Sequence, residues 1–161
     1  MRLIRPSKSP QNISVFTTTA GNGATFSRSD KGSLQYYNEL LRAENLSRIV
    51  TVNQVRGTVV LPLTYDNIAE IEGADADGIF TAEQNLPIAV LTADCYPVVL
   101  SARKAIAVLH FGWKSAVGGI INNAMALFKQ TDDMPEFAYI GSGLSCRSFE
   151  VKDDFSGTVS G

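Results

Sequence analysis

Histidine is almost missing from this chain of 161 residues: there is one, His110, along with two cysteines, Cys95 and Cys146, and one tryptophan, Trp113. Two cysteines are too few for the disulfide framework of a small secreted domain. A single imidazole cannot build a multicopper centre, which draws heavily on imidazole ligands, so no copper centre is expected. Long hydrophobic runs are lacking as well. Apolar stretches such as Ile106 to Leu109 fall far short of the roughly 20 residues a bilayer span needs. The opening residues, MRLIRPSK, have no apolar signal-peptide core. Positive charge is not in surplus either: Lys and Arg number 14 against 16 Asp and Glu, a net charge of −2. That balance gives no electrostatic case for nucleic acid or an anionic membrane. The expectation is a cytoplasmic protein with no nucleic-acid and no membrane partner.

What is present suits an ordinary globular chain. Hydrophobic residues make up 45% and charged residues 19%, and this length can bury a core without staples. No repeat or linker divides the sequence, so one domain over 1–161 is expected, with about 152–161 as a loose polar tail. Asn12 to Thr19 is rich in β-branched residues and reads as a strand, followed by a turn over Ala20 to Gly23. Ser33 reads as the N-cap of a helix with Leu34, Tyr37, Leu40 and Leu41 on one face. Arg48 to Val55 and Thr58 to Leu61 read as strands. Leu86 to Leu91, Pro97 to Ser101 and Ala105 to Leu109 are short apolar runs that read as buried strands. Ser115 to Gln130 has helical spacing, weakened at Gly118 and Gly119. Glu136 to Gly141, and Arg147 to Val151, read as further strands. Strands and helices do not alternate regularly, so the fold class is α+β, a layered α/β sandwich with helices packed on a mixed sheet.

Two strand ends draw attention. Thr92 to Pro97 holds Cys95 between two apolar strands, and Leu109 to Lys114 holds His110 between a strand and a helix. Strand ends are where α/β folds tend to expose reactive side chains. Fifteen residues separate Cys95 from His110, a spacing that adjacent strands close. A neutral imidazole near a thiol can take its proton, and the thiolate attacks carbonyl carbon or binds metal. The competing reading is a buried free cysteine and a hydrogen-bonded structural histidine.

The wider pattern is more specific. NQVRG over 53–57, ADGIFT over 76–81, LTADCYPV over 91–98, HFGWK over 110–114, and Ile140-Gly141 with Phe149 to Val151 come in a recognisable order. Together they resemble the YfiH-type laccase-domain family, once described as multicopper polyphenol oxidases. Phe16 to Thr19, Gly21, Asn38, Leu40 and Leu41 extend the likeness over nearly the whole chain. The resemblance implies a fold similar to YfiH and to the deamidase domain of cytotoxic necrotizing toxins. It also implies zinc-dependent purine nucleoside phosphorylase and adenosine deaminase activity, and some members are called peptidoglycan editing factors. The implied substrates are a purine nucleoside and phosphate. Members continue past the point where this sequence stops, so a shortened and divergent member is expected.

In that family the histidine of QVHG, the cysteine of ADC and the histidine of HAGWRG hold the zinc. Cys95 and His110 match the last two and are the metal ligands the resemblance implies; Arg56 stands in place of the first. The family also has arginine where Thr19 and Lys114 stand, and proline where Ser142 stands. A catalytic zinc generally needs three protein ligands, and a guanidinium has no lone pair to give. Cys95 and His110 therefore need Asp94, Asp77, Cys146 or a partner chain to complete the set; a homodimer that does so is compatible with the sequence. Asp94 reads equally as an outer acceptor or as a turn residue. Trp113 suits purine stacking or core packing, and Lys114 suits a phosphate contact.

Arg56 beside Cys95 would favour thiolate and hold an anionic group or developing oxyanion. Three readings stay open. One is a nucleoside enzyme of the family with Cys95 and His110 as ligands. A second is a metal-free hydrolase or deamidase with Cys95 as nucleophile, His110 as base and Arg56 stabilising charge. The third is a non-catalytic relative.

Overall fold

The computed structural model describes residues 2–19, 33–145 and 147–148. The expected turn over Ala20 to Gly23, Cys146, the end of the Arg147 to Val151 strand and the tail over 152–161 lie outside the described residues. The expected mixed sheet is there. Strands β3 (Val60–Leu63), β4 (Gly78–Thr81), β5 (Tyr96–Ser101), β6 (Ile106–Phe111) and β7 (Phe137–Ile140) form a five-stranded sheet in the order β3-β4-β6-β5-β7. The β3–β4 pair is parallel and the other pairs are antiparallel. A separate ribbon joins β1 (Arg2–Ile4) to β2 (Thr17–Thr19).

Alternation along the strands sorts the side chains into two apolar layers. Val60, Phe80, Leu100, Ala107 and Leu109 face one way and pack with Ile120, Ala124 and Phe128 of helix α4 (Ile120–Gln130). Phe128 is fully buried, and its ring meets Phe80 edge-on with centroids 4.9 Å apart. Leu63, Ile79 and Val108 face the other way and are covered by Val50, Val52, Ile71 and Leu86. Helix α1 (Ser33–Ala43) docks through Tyr37, whose hydroxyl accepts from the Ile49 backbone N–H at 3.0 Å and lies 3.2 Å from the Ile49 carbonyl.

Several expectations need correction. Of Asn12 to Thr19 only the last three residues are strand. Arg48 to Val55 and Leu86 to Leu91 are not strands but covering segments that meet at the single bridge of Val50 with Ile88; a second bridge ties Asn53 to Asp75. They hold apolar residues because they roof the second layer, which a run of buried residues alone cannot reveal. Arg147 and Ser148 form a turn. The single helix expected over Ser115 to Gln130 is two, α3 (Trp113–Val117) and α4, because Gly119 takes a left-handed φ of 87°. Strand β4 and the short helix α2 (Ile68–Ile71) were not foreseen. No helix among the described residues is long and apolar enough to cross a membrane.

The α4 layer depends on Phe128. Phe128→Ala should lower unfolding free energy by about 3–5 kcal/mol, read as a shift in the denaturant midpoint at unchanged slope. A smaller change than Val117→Ala, at an exposed site, would contradict this packing.

Candidate functional site

The register of the sheet decides which residues meet. Tyr96 pairs with Phe111 and Pro97 with His110, so one step further Cys95 stands opposite Gly112. A Cβ on Gly112 would come within 2.9 Å of the Cys95 sulfur; the glycine leaves the thiol its space. Directly opposite residues share a face, as do residues two apart. Cys95 and His110 are therefore diagonal neighbours on one face, roughly 7 Å apart by strand geometry. That face is the one opposite α4.

On its other side His110 meets Asp77, the residue before β4. The His110 backbone N–H donates to the Asp77 carbonyl at 2.7 Å, and ring Nδ1 lies 2.7 Å from Asp77 Oδ1. A carboxylate only accepts, so Nδ1 carries the hydrogen, and in the neutral ring Nε2 is left with its lone pair. Asp77 is fully buried and His110 is 7% exposed.

The same carboxylate gathers a loop. Val55 N–H donates to Oδ2 at 3.2 Å, Arg56 N–H to Oδ1 at 3.0 Å and Gly57 N–H to Oδ2 at 2.6 Å. Three successive N–H groups turn onto one anion because Arg56 adopts a left-handed φ of 61°, the geometry of a backbone nest. A neighbouring residue, Gln54, grips the segment that leads to Cys95. Its side chain donates to the Leu91 carbonyl at 2.6 Å and accepts from the Leu91 N–H at 2.7 Å.

The sequence-selected residues thus fall into two groups. Arg56 and His110 share Asp77 Oδ1, and Cys95 shares a sheet face with His110. Asp94 is exposed; its backbone carbonyl accepts from Leu144 N–H at 2.8 Å, and the carboxylate that meets His110 is that of Asp77. Trp113 and Lys114 open α3 directly after Gly112, with the ammonium 5.2 Å from the indole ring centre. Asp77 entered the sequence reading only as a candidate extra donor, and Gln54 as part of a motif. The burial that singles out Asp77 is a property of the fold and not of the sequence.

Burial pushes the Cys95 thiol up from its ordinary value; Arg56 pulls it back, and Asp94 and Asp77 push it further up. The guanidinium acts in the expected direction, but desolvation is the larger effect, so the net direction is opposite to the thiolate expectation. For a three-ligand zinc the donor set is short. Asp77 is engaged by four hydrogen bonds, and no group of three His, Cys, Asp or Glu among the described residues could hold a metal ion. The described residues by themselves do not make up such a centre, and Cys146 lies outside them.

A mixed sheet roofed by loops on one face and a helix on the other, with a Cys–His–Asp arrangement at its strand ends, defines the class of protein. Residues 22–160 match the family model described as multi-copper polyphenol oxidoreductase laccase. The chain belongs to this laccase-domain, YfiH-type family. It is 30% identical over 142 residues to a purine nucleoside phosphorylase of Rickettsia prowazekii, covering 81% of this chain and 59% of that one. It is 34% identical over 117 residues to the purine nucleoside phosphorylase YfiH of Escherichia coli, covering 70% of this chain and 46% of that one. The crystal structure of Neisseria meningitidis protein NMB0706 superposes with a TM-score of 0.79 at 26% identity, covering 97% of this chain and 69% of that one. The chain spans about half the length of the curated relatives it matches.

Two predictions follow from this geometry. Asp77→Asn puts an amide donor among buried N–H donors and should cost at least about 3 kcal/mol; denaturant melts measure it. An unchanged midpoint would contradict the role of the carboxylate. Alkylation of Cys95 should rise with pH through a midpoint above the ordinary thiol value. Arg56→Asn should move that midpoint higher, since it removes a cation that favours thiolate; a fall would reverse the sign.

Proposed function

We propose that this chain acts on purine nucleosides by phosphorolysis at the face shared by Cys95 and His110. The observation that supports the reading most is the Asp77–His110 hydrogen bond of 2.7 Å, which leaves a bare Nε2 in the neutral ring. An imidazole held in one tautomer by a buried carboxylate is the usual form of a general base. The names of the relatives supply the substrate class. In the reaction, His110 Nε2 takes the proton of hydrogen phosphate as a phosphate oxygen bonds to C1′ of the ribose. The C1′–N9 bond breaks, its electron pair leaves with the purine, and the purine takes that proton. Trp113 would stack on the base, and Lys114 and Asp94 would contact the sugar phosphate; Cys95 borders the reacting centre.

A second reading, a metal-free hydrolase with Cys95 as nucleophile and His110 as base, draws on the same hydrogen bond. Burial works against it by keeping the thiol protonated at neutral pH.

Incubation of the purified protein with inosine, adenosine or guanosine, with and without phosphate, tests the reading. The expected result is phosphate-dependent release of free base and ribose 1-phosphate. His110→Ala should lower kcat by about 10²–10⁴-fold, and Lys114→Ala should raise KM about tenfold. A folded protein that releases no base from any purine nucleoside overturns it. Base release that survives His110→Ala removes the assigned role of the imidazole.

A further inference from the structure

The site has an unusual charge. Arg56 is held by its backbone on the same Asp77 oxygen that holds His110, at 3.0 and 2.7 Å. With the flanking N–H groups of Val55 and Gly57 on the other oxygen, the origin of its side chain is determined. Arg5, Arg48 and Arg103 each form an ion pair with a carboxylate. Among the described residues no carboxylate pairs with Arg42 or Arg56, and of these two Arg56 is the one whose charge bears on Cys95. Asp77, whose carboxylate meets the Arg56 backbone, is occupied by the loop N–H groups and by the imidazole.

We infer that Arg56 makes the Cys95–His110 face a site for a tetrahedral phosphate dianion and closes it to a divalent cation. The chemistry of the three groups matches that ligand. The guanidinium offers a planar fork to two anionic oxygens. Nε2 of the neutral imidazole accepts the remaining P–OH, and the thiol offers a weak S–H donor. Among the described residues a divalent cation would meet two donors and a fixed positive charge in place of a third. The inference deepens the nucleoside reading, on which it rests for the role of phosphate as co-substrate. Its test reads binding rather than turnover, so the two can fail separately.

Because the chain has one histidine, the imidazole nitrogen signals of this ¹⁵N-labelled chain report this site alone. Titration with inorganic phosphate should move the His110 Nε2 signal saturably and slow Cys95 alkylation. Ribose 1-phosphate, run alongside, tells a free dianion from a phosphomonoester, and binding of either supports the site. Arg56→Asn, whose side chain tolerates the left-handed backbone, should weaken phosphate about tenfold or more. Zinc should be sub-stoichiometric in the wild type, and Arg56→His should take up one equivalent with loss of the free Nε2 signal. Arg56→Lys keeps the charge without the fork and should bind phosphate between the wild type and Arg56→Asn. If neither phosphate species moves the imidazole, or the Arg56→Asn form binds equally well, the anion site is wrong. If the wild type binds one zinc that Cys95→Ser abolishes, or Arg56→His gains none, the exclusion of the cation is wrong. The wild-type titrations need no variant to fold.

Discussion

One buried carboxylate organises the functional end of this protein. Asp77 is fully enclosed, and its two oxygens satisfy three successive backbone N–H groups and an imidazole. An isolated buried charge is costly, and four donors are what make it tolerable. In meeting that requirement the carboxylate ties three parts of the chain together. It closes the 55–57 loop, anchors the start of β4 and orients the ring at the end of β6. The side chain at Arg56 and the free nitrogen of His110 are placed by the same atom.

The sheet register supplies the other half. Asp77 at the entry to β4, His110 on β6 and Pro97 on β5 lie abreast, and Cys95 lies two residues from Pro97, opposite a glycine that leaves room for sulfur. Among the described residues the face opposite α4 is covered by loops and the short helix α2, and the loops also carry Arg56 and lead to Cys95. Gln54 docks one such loop to the other through both polar atoms of its side chain, as a backbone pair would. Function and roof are built from the same segments.

Membership of the laccase-domain family and a full set of zinc donors are separate matters here. The fold and the cysteine–histidine diagonal are those on which the family resemblance rests, while the third position is a guanidinium. The Asp77 nest engages only the backbone N–H of Arg56, so under the proposed anion site the side chain can set the ligand preference without disturbing the nest.

Much was legible before the structure. The strands over 97–101, 106–109 and 137–140 and the helices at 34–41 and 120–130 follow local periodicity, which a chain reports directly. The motif blocks around Cys95 and His110 named the family, since short stretches of side chains keep their order. The roles of Arg48 to Val55 and Leu86 to Leu91 were not legible: buried apolar residues look alike in a strand and in a covering segment. The importance of Asp77 and the state of Cys95 were not legible either. The sequence alone determined which reactive groups exist, one imidazole and a thiol at strand ends with an arginine in a third motif. Only tertiary structure decided how they act, because hydrogen-bond partners and desolvation come from residues 20 or more positions away. The histidine that the sequence counted as one became a ring held in a defined tautomer by Asp77, and the thiol that Arg56 should activate became one that burial restrains.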